Sequence, residues 1–197
     1  LTARMLTLDT QEVAPAETLS FYRQSGMHSE LLETRSNDRP FNFADVIASL
    51  PLGFTRIQEA DRLRIGGRSW VVRIGHGHAP EHATLWSEDD DLVLGGDQLL
   101  PSISPNLGVY PTEPDADPVA DWLAACREFQ PLARDAHYVL PGHKLPFYGL
   151  PTRLDQLIEN HVSALDRLED DEVIVKQCQK VKVRIKGCGQ KWRNTKY

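Results

Sequence analysis

Three times between residues 70 and 143 a short β-prone run stops at glycine, and a side chain able to hold a metal follows within a few positions. The segments are "WVVRIGHGH" (70–78), "LVLGGD" (92–97) and "YVLPGH" (138–143). Runs of this length, rich in Val, Ile, Leu and aromatics and closed by Gly or Pro, are strand signals rather than helix signals. Strands that stop this way deliver their next residues to loops at a sheet end, where polar groups from distant parts of a chain converge. That pattern narrows the fold more than any other feature of the sequence.

The segments around it complete an α/β pattern. "PAETLSFYRQSG" (15–26) is expected to be a helix, with Pro15 near its start and Gly26 ending it. "RPFNFADVIASLPLGF" (39–54) is expected to be loop, then a short helical turn. "RLRIGGRSWVVRIG" (62–75) predicts a hairpin turning at Gly66-Gly67, and Ala83–Trp86 with Leu92–Leu94 predicts another around the acidic stretch 88–91. "DPVADWLAACREFQPL" (117–132) places Asp117 as N-cap and Pro118 at the first helical position. In "PTRLDQLIENHVSALDRLED" (151–170), Leu154, Leu157, Ile158, Val162, Leu165 and Leu168 form one apolar side of a long helix. Antiparallel hairpins come first and a helix–strand–helix unit follows, within a chain of 197 residues that can bury one sizeable core.

Composition breaks sharply near residue 170. Residues 1–170 carry thirteen Arg and one Lys, Lys144, with a net charge of −12, whereas 171–197 carry six Lys and two Arg, net +6. Two domains are therefore expected: a body over 1–170 and a basic tail over 171–197 that is foreign to it, through fusion, read-through or a shifted frame. Val181, Val183 and Ile185 alternate with basic residues in that tail, the period of a half-buried strand. Charge alone is a weak argument for nucleic acid beside so acidic a body, and none is expected as a partner. No apolar run reaches 18 residues, so no membrane span is expected. Three cysteines, Cys126, Cys178 and Cys188, lack tight metal spacing, and the N-terminus lacks a signal-peptide pattern. The expected location is the reducing cytoplasm.

His78, Asp97 and His143 each follow one of the three runs, and two imidazoles with one carboxylate suit zinc, manganese or iron. His76, two residues before His78, could point the same way from an extended segment, while Pro80 argues against one helix presenting both His78 and His82. Each residue also has a plainer reading. Asp97 after Gly-Gly suits a turn or cap, "PGH" suits a turn, and His28, His137 and His161 read as ordinary hydrogen-bonded histidines. Lys144 and Arg153 could contact an anion, although solvated surface charge explains them as well.

Together "GHAPEH", "LVLGGD" and "YVLPGH" resemble, in order, the downstream motifs of the metallo-β-lactamase-fold hydrolases. The resemblance spans about residues 50–168. It implies His78 as ligand of a first metal, Asp97 as a carboxylate bridging two metals, and His143 as ligand of a second. His82 matches a position that is often His in the family but not usually a ligand. The family's upstream His-x-His-x-Asp-His cluster is missing, and His28 is the only histidine in residues 1–74. The implied fold is a partial αββα sandwich, roughly its C-terminal half, truncated at both ends. An apolar sheet face left bare would be covered by pairing, so a homodimer or higher oligomer is expected.

The implied activity is metal-dependent hydrolysis of a small activated ester by metal-bound hydroxide. Phosphodiesters or related phosphate esters come first, then thioesters or lactones. Zinc is the first choice of metal, with manganese or iron as alternatives. Asp97 would act at the reaction centre, and His76 and His82 would serve as a fourth ligand or as proton carriers. The alternative is a folded remnant without catalysis.

Overall fold

The structure, a computed structural model, describes residues 12–40, 45 and 53–170. These fall into two compact units, one built on a β-sheet (57–109 and 115–170) and the other containing two short helices and Tyr110–Pro114. In the helical unit, α1 spans Ala16–Gln24 and α2 spans Ser29–Asn37. Pro15 precedes α1 with φ −57°, a value its ring imposes, and its carbonyl accepts from Leu19 N–H. The chain leaves α1 at Gly26, whose φ of 83° suits a residue without Cβ. Neither helix buries a residue fully. The weak apolar pattern of α2 explains why the sequence did not announce it. The helical turn expected within 39–54 and the alternating tail segment lie outside the described residues.

The sheet unit has five strands in the order β1 (Arg62–Ile65), β2 (Arg68–Gly75), β3 (His82–Ser87), β4 (Leu92–Gly96) and β5 (Tyr138–Pro141). The first three pairings are antiparallel and β4–β5 is parallel, so the sheet is mixed. The β1–β2 hairpin turns through Gly66 and Gly67 at φ 61° and 78°, the double positive φ that a tight two-residue hairpin requires. The acidic β3–β4 turn is held locally: Asp89 and Asp90 N–H both donate to Ser87 Oγ at 3.2 Å.

The parallel β4–β5 step needs a crossover, supplied by α3 (Pro118–Phe129). Asp117 caps it, its Oδ1 accepting from Ala120 N–H at 3.1 Å, with Pro118 in the first turn as the sequence predicts. A one-turn 3-10 helix (Gln130–Leu132) follows, and α4 (Leu150–Asp170) closes the unit.

One sheet face meets these helices. Trp86, Val93 and Val139 pack with Leu99, Trp122, Leu123, Cys126, Phe129, Leu150, Leu154 and Leu157 in a single core, flanked by Ile158 and Leu165. Truncating a fully buried leucine such as Leu154 in such a core costs about 2–5 kcal/mol. Leu168 departs from expectation at 43% exposure, because the apolar stripe of α4 stops meeting the core at Leu165.

Pairing fixes where the chemistry lies. Gly75 at the end of β2 is opposite His82 at the start of β3, and Gly96 at the end of β4 is beside Pro141 at the end of β5. The loops carrying His78, Asp97 and His143 therefore leave the same end of the sheet.

Candidate metal centre

Asp97 is the hub of this end. His78 Nε2 lies 3.4 Å from its Oδ2 and His143 Nε2 lies 3.5 Å from the same oxygen. Both separations exceed the 2.7–2.9 Å of a charge-assisted hydrogen bond. They match the roughly 3.3–3.4 Å between two donors that each sit about 2.0–2.1 Å from one tetrahedral ion. His78 and Asp97 are about three-quarters buried, whereas His143 is largely exposed.

The orientation of His78 suits a ligand. Its Nδ1 donates to the Asn106 carbonyl oxygen at 3.0 Å, which leaves Nε2 as the nitrogen that faces Asp97. An imidazole oriented through its second nitrogen by a carbonyl is the usual support of a metal-binding histidine. The donor types, two imidazoles and one carboxylate, are ones that divalent ions accept. Among the described residues, however, no three His, Cys, Asp or Glu side chains close into a ready cage. What the structure contains is two donor pairs with one oxygen in common.

Glycines make this convergence possible. A Cβ on Gly142 would overlap Asp97 Oδ1, and one on Gly96 (φ 51°) would run into the His82 ring. Gly77 has φ 93°, and a Cβ there would strike Trp122 and the Pro118 carbonyl. The glycines in the three motifs are thus steric requirements of the site.

Gly77 also corrects the expectation that His76 and His78 point the same way. β2 ends at Gly75, and the positive φ of Gly77 turns the chain between the two histidines. His76 Nδ1 donates to the Pro80 carbonyl at 2.6 Å, while His78 turns to Asn106 and Asp97. His82 is the first residue of β3 rather than a loop residue. Its ring centroid is 5.8 Å from that of His78, and its Nε2 accepts the Asp97 main-chain N–H at 3.2 Å. Burial, and then the neighbouring His78, hold its pKa below the ordinary histidine value, against the pull of Asp97.

Three supports were not legible in the sequence. Gln98, wholly buried over Gly75, donates from Nε2 to the His76 carbonyl at 3.3 Å and so ties the loop after β2 to the loop after β4. Asn106 acts through its main chain, which no residue type betrays. Arg153, half-buried, is engaged with the main chain. Its Nε donates to Leu100 O at 2.7 Å and its Nη2 to Ile103 O at 3.1 Å, clamping the loop between Asp97 and Asn106. Two of the histidines read as ordinary are hydrogen-bonded: His137, buried edge-on against Trp86, accepts the Arg134 N–H, and His161, against Trp122, donates from Nδ1 to Leu157 O.

The sequence profile of the metallo-beta-lactamase superfamily matches residues 12–174, most of the chain. The chain belongs to that superfamily. Members of the superfamily are metal-dependent hydrolases, which accords with the donor chemistry around Asp97. Among solved structures, a beta-lactamase domain protein from Burkholderia ambifaria is 38% identical with a TM-score of 0.61. That match covers 66% of this chain and 40% of that one. A metallo-beta-lactamase family protein from Thermus thermophilus shares the fold at 24% identity and a TM-score of 0.58, over 78% of this chain and 47% of its own. The chain thus spans less than half the length of these superfamily structures. A search of curated proteins found no match. No helix among the described residues is long and apolar enough to cross a membrane.

Proposed function

We propose that this chain holds a divalent metal through His78, Asp97 and His143 and hydrolyses a small activated ester. Phosphodiesters or related phosphate esters are the first substrate class, thioesters and lactones the next. The observation that carries the proposal is the approach of two imidazole nitrogens, from two different strand ends, to one oxygen of Asp97. Zinc suits two nitrogens and a carboxylate, and manganese or iron would be accepted by the same set. A divalent ion held there would supply Lewis acidity and lower the pKa of water toward neutrality.

The chain's own residues do the rest. Asp97 presents its carboxylate at the centre, held from behind by His82 and given room by Gly142. His78 keeps Nε2 on the centre because Asn106 engages its Nδ1. His143, the most open of the three, stands where a substrate would arrive. His76, tied to Pro80 through Nδ1, keeps Nε2 as a candidate proton carrier. On the sheet face away from α3 and α4, Val72 is wholly buried beside Leu85, whereas Leu85, Leu94 and Leu140 are partly exposed, and that exposed part is what a homodimer or higher oligomer would cover. The absence of a closed three-ligand cage among the described residues favours one competing reading, a folded chain without catalysis.

Metal analysis separates the two. After reloading with zinc, wild type should retain about one ion per chain and His78→Ala none. A panel of p-nitrophenyl phosphodiester, phosphotriester and thioester substrates plus a lactone should then show turnover that follows metal content. A wild type that holds neither zinc nor manganese would leave the non-catalytic reading standing.

A further inference from the structure

Among the described histidines near Asp97, His78 and His143 face its carboxylate, whereas His82 meets its main chain. Its Nε2 accepts the Asp97 N–H at 3.2 Å, so that lone pair is engaged and turned away from the carboxylate. The proton must then sit on Nδ1, which is buried and has no hydrogen-bond partner. The position is built. His82 opens β3 directly across from Gly75, over which the buried Gln98 folds. Its ring fills the space where Gly96, at φ 51°, carries no Cβ. The β4 register shifts at Leu94/Gly96, immediately before Asp97, so the ladder alone does not set the direction in which that residue leaves the sheet. The imidazole takes the N–H of Asp97 just past this irregularity.

We propose that His82 is a positioning residue, neither a metal ligand nor a proton carrier: its imidazole accepts the Asp97 main-chain N–H beyond the β4 bulge and thereby aims the Asp97 carboxylate at His78 and His143. The assignment rests on the proposed metal role of Asp97, but its physical core, an N–H held by an imidazole, is present without metal. Glutamine places an amide oxygen where His82 has Nε2 and is the conservative replacement, whereas leucine fills the volume and leaves the N–H bare.

The test uses the full chain, with zinc alone as probe, in wild type, His82→Gln, His82→Leu and His78→Ala. Zinc affinity is measured by chelator competition. His82→Leu should bind about 10–100-fold more weakly than wild type, the usual effect of losing a group that orients a ligand, and His82→Gln should recover most of that loss. Imidazole nitrogen-15 spectra should show His82 protonated at Nδ1 and bare at Nε2, unchanged when zinc is added. A metal-induced shift at His82 Nε2, or wild-type affinity in His82→Leu, overturns the assignment.

Amide exchange without metal keeps the two proposals apart. In the apo chain the Asp97 amide should exchange at least tenfold faster in His82→Leu than in wild type, and His82→Gln should restore its protection. Exchange that behaves this way while wild type takes up no zinc refutes the metal reading and retains the hydrogen bond. Equal exchange in all three overturns the His82 assignment whatever zinc does. His82→Gln also guards against a leucine variant that fails to fold.

Discussion

Gly142 and Gly66 separate two tasks that glycine performs in this chain. A Cβ on Gly142 would overlap Asp97 Oδ1, whereas one on Gly66 would meet nothing, and the burden there is its φ of 61° alone. Gly142→Ala must push the carboxylate or its own loop aside, so zinc affinity should fall by tenfold or more. Gly66→Ala should cost about 1–2 kcal/mol through the left-handed backbone and leave zinc affinity unchanged. Chelator competition paired with thermal melts reads both effects, and equal zinc affinity in Gly142→Ala and wild type would remove the steric role given to that glycine. The same contrast shows what a sequence reveals at this scale. His78, Asp97 and His143 stood out because a strand that stops at glycine leaves its next polar residue at a sheet end. The separate fates of His76 and His82 did not, because they depend on the φ of Gly77 and on β3 beginning at His82. Neither is a property of residue type.

At the scale of elements, the loop from Asp97 to Asn106 connects the carboxylate to the carbonyl that orients His78, and α4 holds it from outside. Arg153 reaches Leu100 and Ile103 with two nitrogens of one planar fork, a geometry that an ammonium does not reproduce. Burial lowers its pKa from the ordinary arginine value, though not enough to discharge it. Arg153→Lys should keep the charge and lose one of the two contacts, and Arg153→Ala should lose both. The expected cost rises in that order to about 1.5–3 kcal/mol. Amides 99–107 should exchange faster in the same order, measured by hydrogen exchange with mass spectrometry. If their protection is the same in wild type and Arg153→Ala, the clamp has no mechanical role. Helix α3 and its Asp117 cap were plain in the sequence, since a carboxylate before proline and an amphipathic run is a local signal, whereas its part as a parallel crossover depends on the β4–β5 pairing. The Arg153 clamp was not, because its partners are carbonyls some fifty residues away.

The whole unit also has a pH dependence whose sign follows from two imidazoles, His137 buried and His82 half-buried. His82 Nε2 accepts the Asp97 N–H, and His137 Nδ1 accepts the Arg134 N–H at 3.0 Å. Protonating either ring would set one N–H against another. Burial is the leading reason both pKa values lie below the ordinary 6.5, with His78 acting further on His82 and Arg134 on His137. In the unfolded chain both rings take up protons as pH falls through that ordinary value, and in the folded chain they do so only at lower pH. Across this interval the unfolded state binds more protons, so stability is intact above about pH 6.5 and declines as pH falls toward the depressed values. Asp90 acts in a separate window. Hydrogen bonding to Ser87 is the first cause that holds its carboxyl below 3.8, so its contribution fades only in stronger acid. Thermal melts of the metal-free chain at pH 7.5, 6.5, 5.5 and 5.0 should therefore show a falling midpoint well before carboxylates protonate. His137→Phe keeps a ring against Trp86 and removes one titrating group, so its decline should be shallower than that of wild type. Combining it with His82→Gln should leave the midpoint nearly flat down to pH 5. A wild-type midpoint that is flat from pH 7.5 to 5.0 would mean that neither imidazole is held neutral by the fold, and the hydrogen bond given to His82 would fall with it.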